Sequence, residues 1–559
     1  MELDEIIRKY AVKNRLRYGK AYEKAVLGKV LANSPRLRKR IEGLREDVGR
    51  IVEEVNNLKL KELKKLEEGE EKIKIAKGYR LELIPKPEKR VRTRLAPNPN
   101  GAATLGSARG LVINHYLAKK YGGDFILRFD DTDPKNKRPL LEAYRWYLED
   151  CKFLQTEPDE VYYASERIEK YYHYAEKLIK LGKAYICFCS KTKFKRLKDA
   201  KKACQHRDTT PQKNLNYWKK MLEGEYREGE AVLRIKTDIK HKDPALRDWV
   251  AFRILDVQHP RVGRKYKVWP MLDFESAIED KLLKITHIVR GKDLMDSEKR
   301  QKFIYDYLGW RYPEVIHWGR IRIREFGKLS TSGIRRGIIT GTYKGWDDPK
   351  LPTIQALRRR GISSEAIRRF ILNLGITSTD ISLSLENLFA ENRKIIDAQA
   401  NRYFFVPNPV EMIITGVKGK TKKVELPLHP SFPERGKREI KVTFQEGKVK
   451  LFISQQDAKK LEVGGEIRLM HLFNVKIEKI SAKIRAKYLE ERKLQVEKIQ
   501  WVPEKNILVE ILMPEGVVKG FGEENCKKAN IGEVIQLERF GFVKLEEKEK
   551  GLKFCFTHR

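Results

Sequence analysis

From Val91 to about residue 345 the sequence alternates short apolar runs with segments of helical periodicity: FILRF (125–129) reads as a strand, EAYRWYLED (142–150) as a helix, KITHIVRG (284–291) as a strand again. Such alternation predicts a parallel sheet with helices on its faces, because parallel neighbours need a crossover. Ligands of such sheets sit at the carboxyl ends of the strands. On either side the pattern changes. Residues 1 to about 70 read as helical: Ser34-Pro35 is a cap and first turn, and Leu37, Ile41, Leu44, Val48, Ile51, Val55 and Leu58 recur every three or four positions. A Glu and Lys run up to Pro85 and Pro87 reads as a solvated linker. Residues 182–245 interrupt the alternation with a Cys and His cluster and the basic run KTKFKRLKDAKKA. Residues 350–400 return to helix, with Ile354, Leu357, Ile362, Ile367, Phe370 and Ile371 as expected core. Beyond 402, EIKVTF, KVKLFI and ILVEILM read as antiparallel strands of one or two barrels.

A chain of 559 residues allows about three to five domains. Its 118 Lys and Arg against 78 Asp and Glu leave a formal charge of +40. An excess of this size suits a polyanionic partner, nucleic acid first, because each phosphate neutralised releases counterions. The competing explanation is a thermophile's ion-pair surface, which accounts for the total charge but not for its imbalance. No stretch approaches the roughly 20 apolar residues of a membrane span, and MELDEIIRKY lacks a signal-peptide core. The expected location is the cytoplasm, with no membrane partner. Six cysteines in so long a chain, grouped partly as C-x-C and C-x-H, suit a reducing compartment.

Four constellations fall where strands should end. In the first, Arg94-Leu95-Ala96-Pro97-Asn98-Pro99-Asn100-Gly101 leads through Thr104-Leu105-Gly106-Ser107 into a helix. A loop opening into a helix N-terminus is an anion site, and Gly106 lets a nucleotide approach the backbone. In the second, Arg128-Phe129-Asp130-Asp131-Thr132-Asp133-Pro134 sets three carboxylates at a strand end, able to hold a cation or an ammonium group. The third is Ile288-Val289-Arg290-Gly291-Lys292-Asp293, whose arginine can grip a carboxylate. The fourth is the glycine and hydroxyl loop Gly327-Lys328-Leu329-Ser330-Thr331-Ser332, suited to closing on phosphates. Separately, Cys187 and Cys189, then fourteen residues, then Cys204 and His206 supply four ligands for a structural Zn2+.

Taken in this order, these motifs resemble the class I glutamyl- and glutaminyl-tRNA synthetases. RLAPNPNG…TLGSARG stands where that family has its HIGH signature and KLSTS where it has KMSKS; RFDDTDP, RGKD, GWDDPKLPTIQALRRRGI and LPLHPSFPERGKREI are also similar, so the likeness runs from about Arg92 to the C-terminus. The resemblance implies a multidomain α/β plus all-β protein. It would comprise a helical extension and linker (1–85), a Rossmann-like parallel-sheet catalytic domain in two halves (86–181 and 246–345), and an acceptor-binding insertion (182–245). A helical connecting domain (346–401) and antiparallel anticodon-binding β-barrels (402–559) complete it. It further implies that Arg94 and Asp130 hold the α-carboxylate and ammonium of the amino acid, that Ser276 and Leu272 line its pocket, and that Arg290 takes a side-chain carboxylate, which favours glutamate over glutamine. Pro97, Gly106, Lys328 and Ser330 would bind ATP, with Lys328, Thr104 and Ser107 as catalytic groups and Arg335 as a further cation. Thr104 and Ser107 replace both histidines of HIGH, and Thr331 the second lysine of KMSKS. The implied partners are ATP, Mg2+, glutamate and tRNA-Glu, with tRNA-Gln as a further acceptor, handled by a monomer. Some members carry a Cys and His cluster like the one here. The basic segment Arg435-Gly436-Lys437-Arg438 is expected on the anticodon stem or loop. The β-rich C-terminal region points to the archaeal and eukaryotic branch, and with the charge to an archaeal thermophile. The alternatives are a glutaminyl enzyme or a non-catalytic tRNA-binding paralogue.

Overall fold

In the computed structural model, residues 3–33, 41–58, 62, 81, 87, 90–326, 330–491 and 495–559 are described. The N-terminal unit contains helices α1 (Leu3–Tyr18), α2 (Glu23–Asn33) and α3 (Ile41–Asn57). Their apolar faces meet in a core of Ile7, Ala11, Val26, Val30, Leu44, Val48, Ile51 and Val55, the last four being members of the expected stripe. The Asn56 amide closes the α1–α2 turn by exchanging two hydrogen bonds with the Ala21 backbone. Ser34, Pro35, Leu37 and most of the linker lie outside the described residues.

In the larger unit, β1 (Arg92–Leu95), helix α4 (Leu105–Lys120), β2 (Asp124–Phe129), α5 (Leu141–Phe153) and β3 (Glu160–Tyr163) alternate as expected, and the three strands pair in parallel. Helix α6 (Ile168–Lys180) leads into an antiparallel sheet of β4 (Ala184–Cys187), β5 (Val232–Ile235), β6 (Val250–Ile254) and β7 (Val268–Pro270). This sheet continues past residue 245, so two strands that the sequence places in the second half of the parallel domain pair with the insertion instead. Short apolar runs do not distinguish a parallel partner from an antiparallel one. Helices α7 (Lys191–Asp199) and α8 (Pro211–Glu223) lie within the insertion.

The chain re-enters the parallel layer through α9 (Leu272–Leu282), β8 (His287–Gly291), α10 (Met295–Leu308) and β9 (Glu314–Trp318), with β8 and β9 parallel. The Thr286 N–H donates to the Arg92 carbonyl, which sets β8 on the edge of β1 opposite β2. The strand order therefore reverses between β1 and β8, and a crevice opens beyond their carboxyl ends. Helices α11 (Thr331–Ile339), α12 (Ile354–Arg359), α13 (Ser364–Leu374) and α14 (Leu385–Ile396) follow. Ile354, Leu357, Ile362, Ile367, Phe370 and Ile371 join the core of the parallel layer.

Beyond residue 402 lie two seven-stranded, barrel-like sheets and a two-stranded ribbon. Most pairs are antiparallel, but four are parallel, for example 409–415 with 484–489 and 506–513 with 552–558. The segment 403–406 runs between the sheets: Tyr403 and Phe405 enter one core, Phe404 and Val406 the other. Period-two alternation thus serves two interiors at once.

Candidate active site

A cavity of about 160 Å3 opens at the β1–β8 crevice, lined by Arg94, Asp130, Leu272, Ser276, Arg290 and Trp318 among others. It gathers the five residues expected around the amino acid, Arg94, Asp130, Leu272, Ser276 and Arg290. Arg94, near the end of β1, donates from Nε and Nη2 to the two oxygens of Asp280 on α9, at 3.1 and 3.0 Å. Asp130, directly after β2, accepts from Arg128 Nε at 2.7 Å and Nη2 at 3.3 Å, and from the Ser276 hydroxyl at 3.1 Å. The remaining Arg128 nitrogen, Nη1, donates to Asp280 at 2.8 Å. Burial would raise the Asp280 carboxyl, but Arg94 and Arg128 outweigh it and hold the group below the usual carboxylate range.

Arg290, the penultimate residue of strand β8, is 5% exposed. Its Nη1 donates to Gln301 Oε1 at 3.2 Å, while Nε and Nη2 have no partner among the described residues. Burial, then the nearby Arg94 charge, pulls its pKa down. A buried guanidinium with two idle donors at a cavity wall is matched to an incoming carboxylate. The RFDDTDP motif assigns no role to Arg128, and Glu275, Asp280 and Gln301 lie outside every motif. The signal for Asp280 was present: Leu272, Ser276 and Asp280 are spaced i, i+4, i+8 on one face of α9.

The proline loop is fastened around this cavity. Asp130 N–H donates to the Pro97 carbonyl and Asn98 Nδ2 to the Asp130 carbonyl. Thr104 caps α4, its hydroxyl accepting from the Ser107 N–H at 3.4 Å; the Ser107 hydroxyl lies 3.4 Å from that of Thr104 and accepts from Tyr147 at 3.4 Å. A Cβ added to Gly106 would meet only the Thr104 hydroxyl at 3.5 Å, so the described protein does not itself require glycine there, and close approach of a ligand remains a reason for it. Gly101 is different: a Cβ there would lie 2.2 Å from Trp346 and 2.6 Å from Thr331. The proline loop therefore abuts the start of α11, which Ser330 caps by accepting from the Gly333 N–H. Arg335 donates to the Arg138 carbonyl. Lys328 lies outside the described residues.

In the insertion, the ligand atoms of Cys187, Cys189, Cys204 and His206 lie within 4.8 Å of one another. Cys187 Sγ is 3.9 Å from both Cys204 Sγ and His206 Nδ1, and Cys189 Sγ is 3.5 Å from His206 Nδ1. These separations suit the edges of a tetrahedron with metal–sulfur bonds of about 2.3 Å. The Cys204 hydrogen bond draws Cys187 down to about 7. Its partner Cys204, acting as donor in that bond and buried, rises to about 12.

The basic segment near residue 436 does not present both arginines to solvent. Arg438 is 2% exposed and is held by Glu523, Glu538 and the Pro427 carbonyl. Its strand alternates exposed and buried positions, and the second position faces inward. Arg435 donates to the carbonyls of Ala398 and Gln399 and to the Asn401 side chain. The expectation that Arg438 reaches phosphates or bases is corrected accordingly; Arg435 is part-exposed and Lys437 is exposed, beside Glu425.

Family comparison agrees with this layout. The family model for the catalytic domain of class I tRNA synthetases (E and Q) matches residues 90–398. Two models for the anti-codon binding domain of the same synthetases match 400–497 and 498–546. A glutamate–tRNA ligase of Methanosarcina barkeri is 50% identical across 99% of this chain and 98% of its own length. Those of Archaeoglobus fulgidus and Pyrococcus furiosus are each 49% identical, covering 100% of both chains and 98% of both chains respectively. With a reversed parallel sheet, a crevice at its switch point and three consecutive family matches, the chain belongs to the class I tRNA synthetases of the glutamate and glutamine group.

Proposed function

We propose that the protein attaches glutamate to tRNA-Glu at the expense of ATP. The observation that carries this reading is Arg290, buried at the cavity wall with Nε and Nη2 unpartnered among the described residues. The relatives' shared name, glutamate–tRNA ligase, points the same way. The γ-carboxylate sits on Arg290, the ammonium group on the Asp130 carboxylate, and the α-carboxylate beside Arg94, which Asp280 aligns. In the first step the α-carboxylate attacks the α-phosphorus of ATP and pyrophosphate leaves; Mg2+ bound to the ATP phosphates would supply neutralisation of their charge. In the second, the terminal 2′-hydroxyl of the tRNA takes the glutamyl group and AMP leaves. Neither step needs a covalent enzyme intermediate, so positioning and fixed dipoles carry the catalysis. The N-terminus of α4, with Thr104, Gly106 and Ser107 in its first turn, faces phosphate in this reading, with Pro97 shaping the loop. Ser330 and Lys328 contribute from the KLSTS loop.

Cys187, Cys189, Cys204 and His206 hold a structural Zn2+, supported by the cluster's dimensions. Residues beyond 402 bind the anticodon arm, supported by the two matched domain models. One chain supplies every cavity residue named, which suits a monomer. None of the six cysteines is in a disulfide, which suits the cytoplasm, and no helix among the described residues is long and apolar enough to cross a membrane. The archaeal relatives support an archaeal source, and the many surface ion pairs a warm one. Charging of purified tRNA-Glu and tRNA-Gln with glutamate and with glutamine tests the reading. Glutamate on tRNA-Glu is expected, the tRNA-Gln arm defines the acceptor range, and charging with glutamine alone would overturn the assignment.

A further inference from the structure

Glu275 precedes Ser276 on α9 and is fully buried. Its Oε2 accepts from the Thr132 hydroxyl at 2.8 Å, whereas Oε1 accepts from no donor among the described residues. The nearest cationic nitrogen, Arg128 Nε, is 3.9 Å from Oε1. That guanidinium is already engaged by two closer carboxylates, Asp130 at 2.7 Å and Asp280 at 2.8 Å. Around Glu275 stand Asp130 and Arg128 from β2 and its end and Tyr171 from α6, while Glu279 on α9 pairs with Arg167. Tyr171 is a neutral phenol whose burial raises it well above its ordinary value. A third buried carboxylate with no cation of its own takes up a proton, and two facing carboxyl groups share one. Asp130, with three donors already on it, is the better anion of the two.

We propose that Glu275 serves as a neutral carboxylic acid that donates to Asp130, and that its proton sets the charge against which the amino acid is selected. This inference rests on the glutamate reading above. Arg94, Arg128 and Arg290 contribute three positive charges to the cavity and its floor, and Asp130 and Asp280 two negative ones. With Glu275 neutral, one positive charge remains. Glutamate, with two carboxylates and one ammonium group, cancels it; glutamine, with no net charge, leaves it buried and uncompensated. An ionised Glu275 would reverse the preference, giving a cavity without net charge that suits glutamine. Burial first, and then Asp130, raises the Glu275 carboxyl well above the usual range, in the same direction.

The test uses the full-length protein. Glu275→Ala removes the donor that steadies Asp130, and the KM for glutamate is expected to rise on the order of tenfold. Glu275→Gln keeps the shape, a neutral charge and an N–H for Asp130, and is expected to restore KM to within about threefold of wild type with the amino-acid preference intact. A Gln variant as impaired as the Ala variant, or one whose glutamate-to-glutamine preference shifts more than about tenfold, overturns the proposal. Infrared spectroscopy of protein carrying carboxyl-carbon-13 glutamate supplies a readout independent of activity. Near pH 8, where exposed glutamates are ionised, wild type is expected to show a protonated-carboxyl band that Glu275→Gln loses; absence of such a band in wild type overturns the proposal without any variant. Failure of wild type to charge glutamate would instead strike the functional reading, and the infrared result would stand apart from it.

Discussion

Arg290→Cys removes the guanidinium with two idle donors, while Gln301 keeps the Tyr312 hydroxyl as a donor to its Oε1. Glutamate should lose on the order of 2 to 4 kcal/mol of kcat/KM, the range for a desolvated charge-assisted contact, and glutamine far less. Unchanged discrimination between the two amino acids would remove Arg290 from the recognition of the side chain. A second residue-scale prediction concerns Asp150, fully buried on α5 with both carboxylate oxygens unpartnered among the described residues. Burial, partly opposed by Arg358, pushes its pKa up to about 7. Because the folded-state value lies above the unfolded one, the folded protein holds the proton more tightly. Its contribution to stability is therefore greatest below about pH 4 and falls as pH rises toward about 7, by at most on the order of 4 kcal/mol. Asp150→Asn should raise the melting temperature strongly at pH 8, less at pH 5 and little below about pH 4; equal shifts at pH 8 and pH 4 would contradict this account. The cavity residues Arg94, Asp130 and Arg290 were legible because each ends a strand inside a recognisable motif. Glu275 and Asp280 were not, because ionisable residues on a helix read as a solvated face until the packing of that face is known.

At the scale of elements, the alternation of strands and helices was readable from Val91 onward, since period two and period 3.6 differ plainly. Partner choice was harder: β6 and β7 joined the antiparallel insertion, and Arg438 turned inward with its strand. The four-ligand cluster ties β4 to the loop after α7, connecting two stretches that share little other core. Protein produced with zinc supplied is expected to contain about one equivalent of it, and Cys204→Ser to lose the metal and melt earlier, as structural sites add directly to folding. Metal analysis finding less than about half an equivalent would argue against the site.

Across the larger unit, the segment 350–360 touches both ends of the machinery. The Leu105 N–H donates to the Pro352 carbonyl and the Ile354 N–H to the Ala103 carbonyl, where the proline loop runs into α4. A few residues on, Arg359 pairs with Glu546, and buried Arg360 donates to the carbonyls of Phe556 and Thr557. Arg360→Met should cost about 1 to 3 kcal/mol by stranding those carbonyls and raise the KM for tRNA, with the KM values for glutamate and ATP nearly unchanged. Thermal melts and charging kinetics check the two halves separately, and a parallel rise in all three KM values would mean that the defect reaches the cavity. The sequence showed this segment as helix and likeness but not as a bridge, because its partners lie nearly two hundred residues downstream.

The strand segment 403–406, with its side chains shared between two interiors, bears on how such chains can recombine. The matched C-terminal models divide at residue 497/498, yet the sheet containing 506–558 draws strands from 402–407. A chimera spliced at that boundary would therefore give the incoming half a foreign first strand, and each exchange would have to match Tyr403 and Phe405 to one parent and Phe404 and Val406 to the other. The two barrel-like sheets are inherited as a pair: transplantation between relatives should succeed when the cut falls before residue 402 and fail when it falls between them.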